Sequence, residues 1–407
     1  MKSYLGELRS EWRPLSAAVI GLSGGLILIS YVVGIMGPYL LDEFGWSKSE
    51  FALISALGLG AVFVFPFVGR ITDRIGVRKT ALVGIVAAPL IYIALSAITS
   101  MWSYAALFAL QATVLVTTTS PVYCRVIVQY FQRARGLALS ISGSGPALVV
   151  VVGGPLLNNF VADHGWRSGY ISLAIFTAVC GLLTLLLLPP ENREAVERKS
   201  RPATEKHELK QVFRSSAFWI LFASVLVCNL PQAMITANLS LVLAENGAVG
   251  KSASLLISAY AGGMLVGRLL SGISLDHLPP RMVSMLVTAL SGVGLLVIAS
   301  GYDSRPVLFV ALLVFGFSLG AEGDLVAFLI VRTFGLRIYS SVHGLLAATV
   351  AISAVLGAGI LSLMLNYFGL YAPFLVLAGL LSIVGGLMFL FLPHETIVED
   401  GSQMTRP

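Results

Sequence analysis

The sequence predicts an all-α integral membrane fold, twelve transmembrane helices in two pseudo-symmetric halves of six. Three observations predict it: the chain is too poor in charge for water, it returns repeatedly to apolar runs of span length, and its second half repeats its first. Charged residues make up 11% of the chain and apolar residues 57%, and the mean hydropathy is +0.89. A soluble domain carries roughly 25% charged residues. So little charge cannot cover a water-facing surface, which leaves lipid as the solvent. A helix needs about 20 apolar residues to cross a bilayer core of about 30 Å.

Runs of that kind fall at 15–40, 51–70, 80–99, 103–128, 136–161 and 169–189, then at 216–243, 252–274, 282–300, 306–331, 341–366 and 371–393. The segment before the first run is polar, carrying Lys2, Arg9 and Arg13, and the apolar run itself is too long for a cleavable signal. Most connections are short. The exception, 190–214, is polar and basic, and it divides the chain into an N-terminal half (1–189), a linker (190–214) and a C-terminal half (215–407). Basic residues gather on one side: the N-terminus, Arg70 to Lys79, Arg133, Arg135, the linker, Arg281, Arg332 and Arg337. The other side has Lys48, Arg167, Lys251 and Arg305. The positive-inside rule makes the first side cytoplasmic and places both termini there. The short loops suit a bacterial inner (plasma) membrane. Because the basic residues sit in loops, the net charge of +6 does not point to nucleic acid. Cys124, Cys180 and Cys228 lie inside apolar runs and read as packing residues.

The repeat holds at one offset of 203 residues. Lys48-Ser49 returns as Lys251-Ser252, Ile54-Ser55-Ala56 as Ile257-Ser258-Ala259, Gly60 as Gly263, Gly69 as Gly272, Asp73 as Asp276 and Arg78 as Arg281. Ile127-Val128 returns as Ile330-Val331, Phe131 as Phe334 and Pro190 as Pro393. Two homologous halves with the substrate site near the midplane between them is how transporter folds are commonly built.

After the second run the chain reads Gly69-Arg-Ile-Thr-Asp73-Arg74-Ile-Gly76-Val-Arg78-Lys79. Gly69 and Gly76 permit close backbone approach and a turn. Asp73, at a helix end, is placed to accept hydrogen bonds from a neighbouring helix N-terminus. The stretch resembles the signature loop of the major facilitator superfamily, and topology and repeat extend the resemblance over the whole chain. Glu43-Phe-Gly45-Trp46-Ser47 and Tyr130-Phe131-Gln-Arg133-Ala-Arg135-Gly136-Leu137-Ala138, with Gly143-Ser-Gly145-Pro146, resemble its monocarboxylate and oxalate–formate transporter branch. The resemblance implies a carrier of small carboxylates, often with a proton, that works as a monomer. The substrate-binding arginine in the eighth helix of that branch corresponds to Arg268. Met264 stands where proton-coupled members often have an acid, and neither the first nor the eleventh helix carries the lysine that some members have.

Ionisable groups at bilayer depth cost about 2.5–3.5 kcal/mol on insertion scales and face a cavity or a partner. The repeat sorts them, because a charge present in one half only is not demanded by the scaffold. Arg268 has Phe65 as its mate, and its planar fork suits a carboxylate; it is expected to bind substrate, the alternative being a permanent salt bridge between two helices. Glu322 and Asp324 have Thr119 and Pro121 as mates. Two residues apart, they point about 200° away from each other, so one faces a cavity and the other a neighbouring helix or water. One of them is expected to neutralise Arg268 in the empty state and to carry the coupling proton. Arg125, mate of Phe328, is expected at a cytoplasmic gate with Asp73, Arg74 and Asp276, and Tyr123 near it as a donor to an anion. Asn229, Gln232 and Asn238 flank Pro231 in the seventh span; Asn229 and Gln232 share a face and are expected to hydrogen-bond substrate, as is Tyr31 in the glycine-rich first span. His343 is expected at the cytoplasmic interface.

There is no P-loop and no His/Cys cluster, so no enzyme activity, metal or cofactor is expected, and transport would run on an ion or substrate gradient. The leading reading is proton-coupled uptake of a small organic anion, a carboxylate, by alternating access. The alternatives are an exchanger or exporter of amphipathic, drug-like compounds, and a membrane sensor without net transport.

Overall fold

The computed structural model describes residues 4–47, 50–51, 53–54, 57–190, 209–248, 250–301 and 304–393, and over 233–237 the backbone alone. Most of the expected linker, together with Lys48, Ser49, Ser55 and Ala56 of the repeat, lies outside the described residues. Regular structure among the described residues is helical. In chain order the α-helices are α1 (Tyr4–Ser10), α2 (Trp12–Ser23), α3 (Leu28–Phe44), α4 (Ala61–Ile75), α5 (Val77–Ser96), α6 (Met101–Val114), α7 (Ser120–Tyr130) and α8 (Arg135–Leu187). They continue with α9 (Ser216–Cys228), α10 (Gln232–Glu245), α11 (Lys251–His277), α12 (Pro280–Ala299), α13 (Arg305–Phe334), α14 (Tyr339–Phe368) and α15 (Ala372–Met388).

Nine helical stretches among the described residues are long and apolar enough to cross a membrane. The longest, α8, has 53 residues and turns at Gly165 (φ +81°, ψ +161°), so it makes the fifth and sixth spans. The second span is a 3₁₀ turn over Leu57–Gly60 running into α4, and the seventh is α9 followed by α10. All twelve expected spans are therefore present, and the chain is a multi-pass membrane protein. Three spans are broken where hydropathy reads them as continuous. The first unwinds at residues 24–27, between α2 and α3. The fourth narrows to a 3₁₀ turn at Leu115–Thr118 and restarts at Ser120, with Pro121 in its first turn. The seventh breaks between Cys228 and Gln232, where Pro231 supplies no N–H and fixes its own φ.

The chain packs into two compact units. The first takes Met1–Arg133, Ile141–Pro202 and Leu336–Leu345, and the second takes Ala134–Ser140, Ala203–Gly335 and Leu346–Pro407. The core of the first includes Met36, Leu40, Tyr92, Tyr104, Phe108 and Tyr170. At its end Trp46 stacks on Phe44 with ring centroids 4.8 Å apart, and the Glu43 carboxylate accepts from the Trp166 indole and from Arg167 at 2.7 Å. Glu43 of the branch-like stretch thus staples the first span to the start of the sixth, and Trp46 packs on Tyr104 of the fourth. The expected polar N-terminus is partly helical: Glu7 of α1 is buried and accepts from the backbone N–H groups of Gln132 and Arg133, each at 3.0 Å.

In the second unit α11 and α13 meet backbone to backbone. A Cβ added at Gly263 would strike the Leu313 carbonyl, and one at Gly267 the Phe317 carbonyl. Gly316 and Gly320 of α13 lie in the same way against the carbonyls of Tyr260 and Met264. Two pairs of glycines four apart face each other, the spacing that lets membrane helices approach closely. Filling such a contact costs about 1–3 kcal/mol. Gly267→Leu is therefore expected to lower the thermal midpoint and the yield of monodisperse protein in size-exclusion chromatography. Gly262→Leu, on the same helix but with nothing within 4 Å of its Cβ position, should leave both unchanged; equal effects would show that the close approach carries no special weight.

Candidate functional site

Two acids at helix ends organise the loops that carry the signature-like motif and its repeat. Asp73 is buried in the last turn of α4. Its carboxylate accepts from the backbone N–H groups of Ser340 at 3.1 Å and Ser341 at 2.6 Å, at the N-terminus of α14. There it meets the positive end of a 30-residue helix. Gly69, one turn earlier, lies against the Ser340 carbonyl, where a Cβ would overlap. The glycine lets the helices touch and the acid caps. Arg125 of α7 is buried and completes the arrangement, forming an ion pair with Asp73 and donating to the Ser340 hydroxyl at 3.4 Å. Arg74 lies on the exposed face beside it.

The second unit repeats the device. Asp276 accepts from the N–H groups of Gly136 at 2.6 Å and Leu137 at 3.0 Å, at the start of α8, and Gly272 sits against the Gly136 carbonyl. Arg125 has no charged counterpart at Phe328, its mate, so the cation is an addition to the first copy.

The charges expected to handle substrate gather around α13. The glycine contact between α11 and α13 brings Arg268 onto the latter: its Nε donates to the Gly320 carbonyl at 3.0 Å and lies 3.3 Å from the Asp324 carboxylate. The Arg268 side chain is 23% exposed and that of Asp324 is 6%, so the pair is open at its cationic end. Glu322 points to the other side of α13, as helical geometry requires, and is half-buried. It accepts a hydrogen bond from the side chain of Asn229, the residue that closes α9 at the break of the seventh span. Each acid therefore has its own helix to answer to, Asp324 the eighth span and Glu322 the seventh.

The other expected residues have surroundings of their own. Tyr123 is fully buried against Gly21, and its hydroxyl has no hydrogen-bond partner among the described residues. Tyr31 is about half exposed and lines an apolar cavity of about 420 Å³ with Val32, Ile35, Gly153 and Phe176. Gln232 opens α10, partly buried, and Asn238 accepts from the Tyr371 hydroxyl at 3.3 Å, joining α10 to the start of α15. His343 departs from expectation: instead of lying at an interface it is buried inside the first turns of α14, its ring edge-on to Tyr339. Sequence reasoning passed over the facing glycines of α11 and α13, although their four-residue spacing was readable. It also passed over Glu7, for which no pattern in a polar segment gives a signal.

Known proteins resemble this chain over most of its length. A family model described as Major Facilitator Superfamily matches residues 18–237 and 225–405. Monocarboxylate transporter 11 of Homo sapiens is 26% identical over 394 residues, covering 93% of this chain and 81% of that protein. A gallate transporter of Pseudomonas putida is 22% identical over 344 residues, covering 73% of each. Among solved structures, that of the transporter FucP in the outward conformation superposes with a TM-score of 0.75 at 13% identity, covering 95% of this chain and 99% of that one, a likeness of fold.

Removing one member of a buried ion pair costs about 3–5 kcal/mol because the partner charge is stranded. Arg125→Met is expected to destabilise the protein by that order in thermal unfolding in detergent, and Asp73→Asn on top of it to restore much of the loss. A double variant no more stable than Arg125→Met alone would show that the pair is not what holds these helix ends.

Proposed function

The chain belongs to the Major Facilitator Superfamily, and from that premise we propose that it is a secondary active transporter of a small organic anion, a carboxylate, working as a monomer by proton-coupled uptake and alternating access. The observation that carries the proposal is Arg268. It is a guanidinium that the scaffold does not require, since its mate is Phe65. It is held by Gly320 and Asp324 with part of its surface open, and planar forks of this kind recognise carboxylates. The names of the relatives point to the same chemistry, monocarboxylates in one case and gallate in the other.

In this scheme a substrate carboxylate takes the place of Asp324 beside Arg268. Gln232, Asn229, Tyr31 and Tyr123 belong to the polar surroundings of its path. Asp73, Asp276, Arg125 and Arg74 form the cytoplasmic gate, the two acid caps opening and closing helix ends. The linker at 190–214 and both termini face the cytoplasm, and the membrane is the inner (plasma) membrane. A second reading, exchange or export of amphipathic compounds, is favoured by one observation: Glu322 is a half-buried acid that a cationic compound would also satisfy.

The test is uptake of labelled lactate and gallate into liposomes holding the purified protein, with and without an inward proton gradient. A hydrogen bond to a charged group is worth about 1.5–3 kcal/mol, so Arg268→Lys is expected to lower uptake by roughly ten- to a hundredfold while leaving the protein folded. A folded native protein that moves no organic anion, or moves organic cations instead, would overturn the carboxylate assignment.

A further inference from the structure

The Arg268–Asp324 pair leaves Glu322 without a task. Three observations give it one. First, Glu322 touches the break in the seventh span and not a regular stretch of helix. Asn229, which it engages, also donates to the Val225 carbonyl at 2.8 Å, so both hydrogens of that amide are used at the point where α9 ends. Second, the eleventh span braces the same point from another side: Ser353 donates to the Leu226 carbonyl, and Gly357 lies against the Leu230 carbonyl where a Cβ would overlap. Third, Glu322 is half-buried and its neighbour Gly323 is exposed, with nothing within 4 Å of its Cβ position. Glu322 is the more exposed of the two acids, since Asp324 is buried.

The repeat shows what is special here. Leu26 and Asn229 are mates, and each sits at the break of its span. In the first unit the Leu26 N–H donates to the Thr118 hydroxyl at 3.2 Å. That clamp cannot titrate. In the second unit the break is clamped by a carboxylate, Glu322, one residue beyond Ala321, the mate of Thr118. A hydrogen bond to a charged acceptor is roughly twice as strong as a neutral one. A carboxylate facing a neutral amide can exchange its charge for a proton without stranding a counter-charge. Asp324 cannot do so while it is paired with Arg268.

We propose that Glu322 is the acceptor of the coupling proton and the catch of the seventh-span break: ionised it clamps Asn229, and protonated it releases it. This deepens the reading of the chain as a proton-coupled anion transporter and rests on it. Among the described residues, the polar groups seen against Glu322 come from the seventh span, Asn229 and the Cys228 thiol. Arg268 of the eighth span lies on the other side of α13, bound to Asp324. The eleventh span braces the break beside them, its Ser353 hydroxyl donating to the Leu226 carbonyl.

Hydrogen exchange of the purified full chain in detergent, without substrate, tests the catch. In the native protein, protection of the segment 225–232, corrected for the intrinsic chemistry, is expected to fall about tenfold between roughly pH 8 and pH 5. Glu322→Gln, which keeps a neutral acceptor, should be weakly protected at both, and Asn229→Ala, which removes the donor, should behave alike. In liposomes preloaded with lactate, Glu322→Gln should still exchange labelled lactate while its uptake no longer follows a proton gradient. Native protection that does not change with pH overturns the proposal, as does a Glu322→Gln protein whose uptake still follows the gradient. Proton-dependent protection in a protein that moves neither lactate nor gallate supports the catch and sinks the carboxylate assignment, so the two failures are distinguishable.

Discussion

The second unit depends on the contact of two backbones in lipid. Between membrane helices there is no hydrophobic force, since lipid tails are as apolar as leucine, so association relies on packing and hydrogen bonds. Gly263, Gly267, Gly316 and Gly320 supply the packing by having nothing to put in the way. The same contact does the electrostatic work. Once α11 lies directly on α13, the side chain after Gly267 reaches the carbonyl of Gly320 and, one turn on, the carboxylate of Asp324. The fork is thereby held at its root by a carbonyl and an acid. Bulkier residues at the four glycines would separate the helices and leave Arg268 to the lipid.

The repeat shows a second economy. One cap, an acid at the end of a span taking the N–H groups of another helix start, with a glycine one turn before it, is used at Asp73 and again at Asp276. Such a cap satisfies orphan helix donors and meets the helix dipole at once. The copies then diverge by single residues. Arg125 gives the first cap a cation, and Glu322 gives the second break an acid. The first copy's break is held by a hydroxyl. Scaffold and chemistry are thereby separated: what both halves share holds helices, and what one half adds carries charge.

Much of this was legible in the residues. Hydropathy located the spans, because crossing lipid demands a long unbroken signal. The offset of 203 identified the scaffold, and Asp73 was recognised as a helix-end acceptor from its place after Gly69. The opposite directions of Glu322 and Asp324 came from about 100° per residue and are seen in their partners, Asn229 and Arg268. Other features were hidden for physical reasons. Hydropathy averages over a window, so the unwound turns at 24–27 and after Cys228 disappear into it. Tyr123 looks amphipathic in sequence, yet Gly21 opens a slot that swallows its ring whole. His343 follows a basic loop, yet the start of α14, capped by Asp73, is buried around it. Glu7 caps a loop over a hundred residues away, a relation that local pattern cannot carry.

The turn at Gly165 has a consequence of another kind. The fifth and sixth spans are joined through one residue with positive φ, the conformation that only glycine adopts without strain, and the Glu43–Trp166–Arg167 staple grips the chain immediately after it. A hairpin with no slack cannot swivel, slide or lengthen at its tip. These two spans meet at one glycine with no free loop between them, and the end of the first span is tied to that corner.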